Sequence, residues 1–237
     1  SYANGQMVGS GVFGDLATFS LHPVKGVTVG EGGVITTNDE RTYYKLMKLR
    51  SHGINKGNFQ FLGISNPSDD FLDPESAFED GELRPWYYEM QQLGFNYRLT
   101  DFQSALGISQ LGKLNSYIDQ RRRLVASYDE AFLSANHISP TQVSLRSQSA
   151  HHIYVAEIDF AAIGTSRHQF MKKMMAAGIG SQVHYIPIVA QPFYRQRGFG
   201  LEDYPNTRDF YDKALTLPLY YQMTPWQQEQ VVDVVGG

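Results

Sequence analysis

TFSLHPVKGVTVGEGGVITT, Thr18 to Thr37, is the stretch on which the fold is decided. Leu16 to Leu21 has the alternating apolar character of a buried strand. His22-Pro23 breaks that strand, and Glu31-Gly32-Gly33 turns the chain into a second apolar run, Val34 to Thr37. Lys25 stands alone between the two runs. Most lysines are surface groups. A lysine on such a mount is a candidate imine-forming residue, and its amine becomes nucleophilic where its surroundings lower its pKa.

Outward from this stretch the chain reads as alternating elements. Asp39 to Arg50 is a helix with leucine and methionine on one side and lysines on the other. The segment 51–93 has no sustained period, and Pro67, Ser68, Asp69, Asp70, Pro74 and Glu75 mark it as a long polar loop or flap. Thr100-Asp101-Phe102-Gln103 is a capping box. It opens one long helix, with Phe102, Ala105, Leu106, Leu111, Leu114 and Ile118 near helical spacing, that continues past Tyr128. Arg121, Arg122 and Arg123 form a solvated face of it. Pro140 to Ala150 is a linker or hairpin approach, and His152 to Phe160 is a strand. Arg167 to Ala177 is a helix ended by Gly178, Gln182 to Ile186 a strand ended by Pro187. Thr224, Pro225 and Gln227 start a last capped helix. The order describes an α/β fold.

Composition narrows the function. The 237 residues allow a real hydrophobic core in one large or two modest domains. A net charge of -4 speaks against nucleic acid as a partner. No apolar run approaches the roughly 20 residues of a membrane span, and the start, SYANGQMVGSG, has no signal-peptide pattern. Without cysteine there is no disulfide or thiol chemistry. A cytoplasmic location is the expectation, with no zinc or other metal site. Gly9-Ser-Gly11-Val-Phe-Gly14 fits G-x-G-x-x-G, but a strand is expected after it where a dinucleotide loop needs a helix.

The motif FS-x-H-x-x-K-x-x-T-x-GEGG, filled at every fixed position from Phe19 to Gly33, closely resembles the lysine motif of the DegT/DnrJ/EryC1/StrS aminotransferases. The resemblance extends through RSHG (Arg50 to Gly53), GFNYRLTDFQSALGISQL (Gly94 to Leu111), QVHYIPIVAQPFY (Gln182 to Tyr194) and LPLY (Leu217 to Tyr220). It implies the latter part of a fold-type I enzyme that uses pyridoxal 5'-phosphate (PLP). Residues 1–115 would close the large cofactor domain, with the loop 51–93, and 116–237 would form the small domain. Lys25 would hold the cofactor as an imine and shuttle a proton. Ser20 would donate to the cofactor phosphate. Asn96 would reach the phosphate held by a neighbouring subunit, making a homodimer with shared sites, and Arg98 is a weaker candidate beside it. Gln182, Val183, His184 and Tyr185 would line the sugar-nucleotide side. His22 and His52 belong to motifs but receive no chemical step. Pro85 to Leu99 is most similar to the branch that aminates carbon 4 of a UDP-linked 4-keto-6-deoxy-N-acetylhexosamine in pseudaminic acid biosynthesis, with glutamate as the expected donor.

The resemblance also implies further cofactor contacts upstream of Ser1, among them a D-x-x-H aspartate for the pyridine nitrogen. On that reading the chain is the C-terminal part of an aminotransferase and is inactive alone. Two other readings compete with it. One is a noncatalytic module that binds a sugar nucleotide or a partner protein. The other is a PLP-dependent sugar dehydratase of the same fold, which carries histidine at the imine position and is opposed by Lys25.

Overall fold

Alternating apolar residues and two glycine-rich turns build the first hairpin, and capped amphipathic helices build most of the remaining chain. The computed structural model describes residues 1–56, 71–141 and 147–237. In chain order the strands and helices begin β1 (Tyr2–Ala3), β2 (Gln6–Met7), β3 (Leu16–Ser20), β4 (Gly33–Thr37), α1 (Glu40–Arg50) and β5 (Ile54–Asn55). Next come α2 (Pro74–Ala77), β6 (Phe78–Glu79), β7 (Glu82–Leu83), β8 (Glu89–Met90), α3 (Asp101–Leu111) and α4 (Leu114–Phe132). The remainder is β9 (Ile138–Pro140), β10 (Ser147–Gln148), β11 (Tyr154–Ile158), α5 (Arg167–Ala176), α6 (Pro192–Arg195), α7 (Pro205–Lys213), β12 (Ala214–Leu217) and α8 (Pro225–Gly236). None of the described helices is long and apolar enough to cross a membrane.

The contacts divide the chain into two units. The N-terminal unit holds Gln6–His22 and Val29–Ile108; the C-terminal unit holds Ser1–Gly5, Pro23–Thr28 and Ser109–Gly237. In the N-terminal unit β3 pairs antiparallel with β4, from Leu16 opposite Thr37 to Ser20 opposite Gly33. The expected strand is there, but it is not buried. Leu16 and Phe19 are exposed, since β3 and β4 form a two-stranded ladder and, among the described residues, no further strand joins it. Asp39 caps α1 by accepting from the Thr42 amide at 2.8 Å. Gly53 ends the turn after α1 at φ +69°, and a Cβ there would collide with the Gln92 carbonyl, so only glycine fits.

The long-loop expectation for 51–93 is corrected over part of its length. Residues 57–70 lie outside the described residues, and with them Pro67, Ser68, Asp69 and Asp70. From Phe71 onward the chain has structure: α2, the β6–β7 hairpin, and an edge-to-face cluster of Phe71 with Phe78 and Tyr87. Glu89 ties this segment down. Its carboxylate accepts from the Leu72 and Asp73 amides, the Tyr87 hydroxyl and the Gln91 amide, all at 2.8–2.9 Å. Burial pushes its pKa up, but these donors outweigh burial and hold it at about 2. A lowered folded-state pKa stabilises the fold above the unfolded value and loses that contribution as pH falls through the folded one. The Leu72 and Asp73 amide resonances are therefore expected to stay put down to about pH 3 and to move together near pH 2. In Glu89→Gln that titration should be absent; its persistence would show another carboxylate at work.

The single helix expected from Thr100 past Tyr128 is two. The capping box forms as expected, with Gln103 N–H donating to Thr100 Oγ1 at 3.3 Å and Thr100 N–H to Gln103 Oε1 at 3.0 Å. The helix then stops at Leu111, and α4 restarts at Leu114 after Gly112 and Lys113, which supply no side-chain cap. Glycine carries the lowest helix propensity short of proline, which fits the break. On α3, Phe102 is 90% and Ile108 72% exposed, so its apolar spacing faces no core among the described residues.

The core belongs to the C-terminal unit. The sheet order is β12–β11–β9, all antiparallel, with Tyr154 opposite Leu217 and Ile158 opposite Ile138. Alternation along β11 buries Tyr154, Ala156 and Ile158. They meet Leu124, Val125, Tyr128 and Phe132 of α4, Phe170 and Met174 of α5, and Val231 and Val235 of α8. The buried hydroxyls find partners: Tyr128 Oη donates to the Pro218 carbonyl at 3.0 Å, Tyr154 Oη to Asp129 at 2.8 Å. Capping boxes Ser166/Gln169 and Thr224/Gln227 start α5 and α8, and Gly178 at φ +76° follows α5.

The strand expected over Gln182–Ile186 is not one. Gln182 makes a single bridge to Thr216, and the next amide, Val183 N–H, turns back to Gln182 Oε1 at 2.9 Å instead of continuing the ladder. The stretch Pro140 to Ala150 contains the end of β9 and the short β10, which pairs with β1; 142–146 lie outside the described residues. After Gly9, Gly11 and Gly14 comes β3, not a helix.

Candidate active site

Lys25 sits in the segment Pro23–Thr28, which packs with the C-terminal unit. The neighbouring Gly26 lies against Leu114 at the start of α4; a Cβ there would be 3.9 Å from Leu114 Cδ1. Lys25 as a whole residue is half-buried, and the polar neighbour of its amine is His152, with 3.5 Å between Nζ and Nε2. Among the described residues no carboxylate pairs with it. The amine is therefore not locked into an ion pair.

His152 opens the run into β11. Its imidazole pKa is held down by burial first, and then by the positive charges of Lys25 and Arg121 and by His184. A neutral imidazole with its proton on Nδ1 presents Nε2 to the amine as an acceptor. His184 is also held below the usual histidine range, by burial and by Lys25. Its Nδ1 shares a 2.8 Å hydrogen bond with Thr216 Oγ1 of β12. Thr216 is 7% exposed, so the ring is fixed from within the core. Tyr185 is 68% exposed and its ring meets that of His184 edge to face at 4.6 Å; the peptide bond between the two is cis.

The three charged or titratable groups Lys25, His152 and His184 thus share one unit and one electrostatic neighbourhood. Gln182, bridged to Thr216, and Val183 precede His184 there. Ser20 and Asn96 belong to the N-terminal unit. Ser20 Oγ accepts from the His22 amide at 3.3 Å, and His22 Nε2 lies 3.6 Å from Glu31. Asn96 pairs with Ser51 in an isolated bridge, and Asn96 and Arg98 are both exposed.

The solvated arginine face of α4 needs correction. Arg123 is exposed, but Arg122 donates from Nε to the Ser149 carbonyl at 3.2 Å, and Arg121 has Nε and Nη1 buried. The 121–123 run reads as surface because three consecutive helical residues spread over most of a turn, and only the packed partners reveal which points inward. His152 carried one signal that could have found it, a polar residue at the head of an alternating strand. A shallow hollow lined by Ala190, Arg195, Phe199, Leu201 and Glu202 contains neither Lys25 nor His184.

Residues 1–236 match the DegT/DnrJ/EryC1/StrS aminotransferase family. The UDP-4-amino-4,6-dideoxy-N-acetyl-beta-L-altrosamine transaminase of Campylobacter jejuni (serotype O:23/36) is 32% identical over 98% of this chain and 54% of its own length. The spore coat polysaccharide biosynthesis protein SpsC of Bacillus subtilis is 31% identical over 97% of this chain and 54% of its own. Among solved structures, Helicobacter pylori PseC, an aminotransferase involved in the biosynthesis of pseudoaminic acid, superposes with a TM-score of 0.80 at 26% identity, covering 99% of this chain and 55% of that one. Spr1654 of Streptococcus pneumoniae, solved in a PMP form and a PLP form, gives TM-scores of 0.80 and 0.79. The chain spans about half the length of the curated relatives it matches. Its fold is that of about half of these aminotransferases, and the chain belongs to the DegT/DnrJ/EryC1/StrS aminotransferase family.

Proposed function

We propose that these 237 residues serve a PLP-dependent aminotransferase that moves an amino group from glutamate to carbon 4 of a UDP-linked 4-keto-6-deoxy-N-acetylhexosamine. The observation that carries this reading is the Lys25 amine, free of any carboxylate among the described residues and 3.5 Å from Nε2 of His152, whose pKa is held low by burial and nearby positive charge. That donor set fits a cofactor aldehyde: an amine committed to an ion pair would not attack it, and this one is not so committed. Pyridoxal phosphate, when bound, supplies the carbonyl carbon that carries the amino group and a ring that accepts electrons from the substrate carbon.

The chain's own residues do the rest. Lys25 Nζ takes and returns the proton, as a base of adjustable pKa can. His152 Nε2 orients the amine without adding charge. His184, pinned by Thr216, keeps a fixed ring beside Tyr185, and Gln182, Val183, His184 and Tyr185 are assigned to the sugar-nucleotide side. Ser20 is assigned to the cofactor phosphate, and Asn96 to the phosphate in the neighbouring subunit of a homodimer. We also propose 1–115 as the cofactor-domain portion and 116–237 as the small domain; the helix break at Gly112-Lys113 supports a boundary there. The cytoplasm is the location proposed.

The test is direct. The full-length natural protein, supplied with PLP, glutamate and the UDP-4-keto sugar, is expected to give the 4-amino sugar nucleotide and 2-oxoglutarate in equal amounts. Mass spectrometry of the sugar product reads the result, and formation of 2-oxoglutarate without an aminated sugar would remove the assigned acceptor.

A further inference from the structure

Thr216 is the one polar residue of β12, a strand buried at every position from Ala214 to Leu217. Its backbone exchanges two hydrogen bonds with Gln182. The Thr216 amide donates to the Gln182 carbonyl at 2.7 Å, and the Gln182 amide donates to the Thr216 carbonyl at 3.2 Å. The side chain adds a third bond to the same segment, between Oγ1 and His184 Nδ1 at 2.8 Å. On its other edge β12 pairs with β11, Thr216 opposite Val155, which fixes the threonine itself. All of these residues belong to the C-terminal unit.

The hydroxyl can meet Nδ1 in two ways. A neutral imidazole carries one N–H, and the bond made by one nitrogen decides which nitrogen holds it. With the proton on Nδ1, Thr216 Oγ1 accepts, and the hydroxyl's own proton is left without an acceptor among the described residues. With Oγ1 donating to Nδ1, that proton is used and only oxygen lone pairs stay idle. Buried donors without a partner are rarer than under-used acceptors, and Thr216 is 7% exposed. The second arrangement places the imidazole proton on Nε2, which no hydrogen bond occupies among the described residues. Burial and the charge of Lys25 lower the His184 pKa, so the ring is neutral at neutral pH and the choice applies. His184 is half-buried, and Tyr185, edge to face against its ring, is 68% exposed, so the pair stands at the surface of its unit.

We infer that Thr216 is a positioning residue: its hydroxyl donates to His184 Nδ1, holds the imidazole proton on Nε2 and so presents one neutral N–H donor to an acceptor oxygen of the sugar nucleotide. This rests on the assignment of Gln182, Val183, His184 and Tyr185 to the sugar-nucleotide side, and it names the chemistry by which His184 acts there. A ring fixed in place and in tautomer loses little freedom when a ligand arrives.

Nitrogen NMR of the full-length holoenzyme with isotope-labelled histidine tests the hold on the ring, with the His184 signals identified by their absence from His184→Phe. At neutral pH the native spectrum is expected to show Nε2 protonated and Nδ1 bare. Thr216→Ser should keep that pattern, and Thr216→Val should lose it to a mixture of tautomers. The reverse pattern in the native protein, or the native pattern in Thr216→Val, overturns the inference. Calorimetric titration with UDP-N-acetylglucosamine, which lacks the reacting ketone, tests the donor. One hydrogen bond lost from a ligand weakens binding by about 3- to 10-fold. Thr216→Val is expected to show that loss and Thr216→Ser to bind within about twofold of native, a recovery by the hydroxyl alone. Native affinity in Thr216→Val with its tautomers mixed overturns the donor's role. If Thr216→Val does not fold, His184→Phe, which keeps a ring and removes the donor, replaces it in the titration. A native holoenzyme that does not bind the probe overturns the sugar-nucleotide assignment, and the native spectrum still decides whether Thr216 holds the ring.

Discussion

Lys25→Ala abolishes amino transfer in the full-length holoenzyme, by at least about a thousandfold, since the residue is assigned both nucleophilic and proton-transfer roles. The expectation is sharper than loss of activity, because many buried changes would reduce a rate. Borohydride reduction of the native protein should fix the cofactor to a single tryptic peptide, the one that carries Lys25. Reduction of Lys25→Ala should leave that peptide unlabelled while the fold, followed by circular dichroism, is kept. Lys25 is only half-buried and packs through Gly26 against Leu114, so truncating its side chain removes little core. A phosphopyridoxyl group found on another lysine in the native protein would remove Lys25 from its role, whatever the mutant's activity.

Mixing two dead variants should give back a living enzyme. Asn96→Ala and Lys25→Ala are each expected to be nearly inactive as homodimers. If a site takes Lys25 from one subunit and Asn96 from the other, a mixed dimer has one site with both residues intact and one with both missing. Random assortment of equal amounts then gives about a quarter of native activity, by the symmetry of a twofold dimer. Asn96 is exposed, held through its backbone bridge to Ser51, so its side chain is available to a second chain and its removal costs the fold little. Activity that stays at the level of the parents, with mixed dimers confirmed by mass, would place Lys25 and Asn96 in the same subunit's site.

Much of this architecture could be read before any coordinates. The caps at Thr100 and Thr224 and the alternation of β11 are local patterns, and each forms as its residues dictate. The failures turn on contacts that periodicity does not encode. Lys25 and His152 are separated by 127 residues, and no period links them. Val183 turns its amide back onto Gln182, a choice made by one side chain that an alternating apolar pattern cannot register. The arginine run looks solvated because composition says that charges face water, whereas packing along α4 buries two nitrogens of Arg121. Exposure of β3 and of Phe102 shows the converse: apolar spacing reports which faces seek cover, not what covers them.

Thr216 lies in a strand buried at every position, yet it is the residue whose hydroxyl holds His184. It therefore answers to two demands at once. Valine there would keep the shape and release the ring; serine would keep the hydroxyl and leave a methyl-sized void in the core. Ala214, Leu215 and Leu217 remain open to repacking by anyone seeking a hardier protein. Thr216 does not, and a search that scored variants on thermal tolerance alone would choose wrongly at the one position of that strand where robustness and the hold on the His184 ring are written in the same side chain.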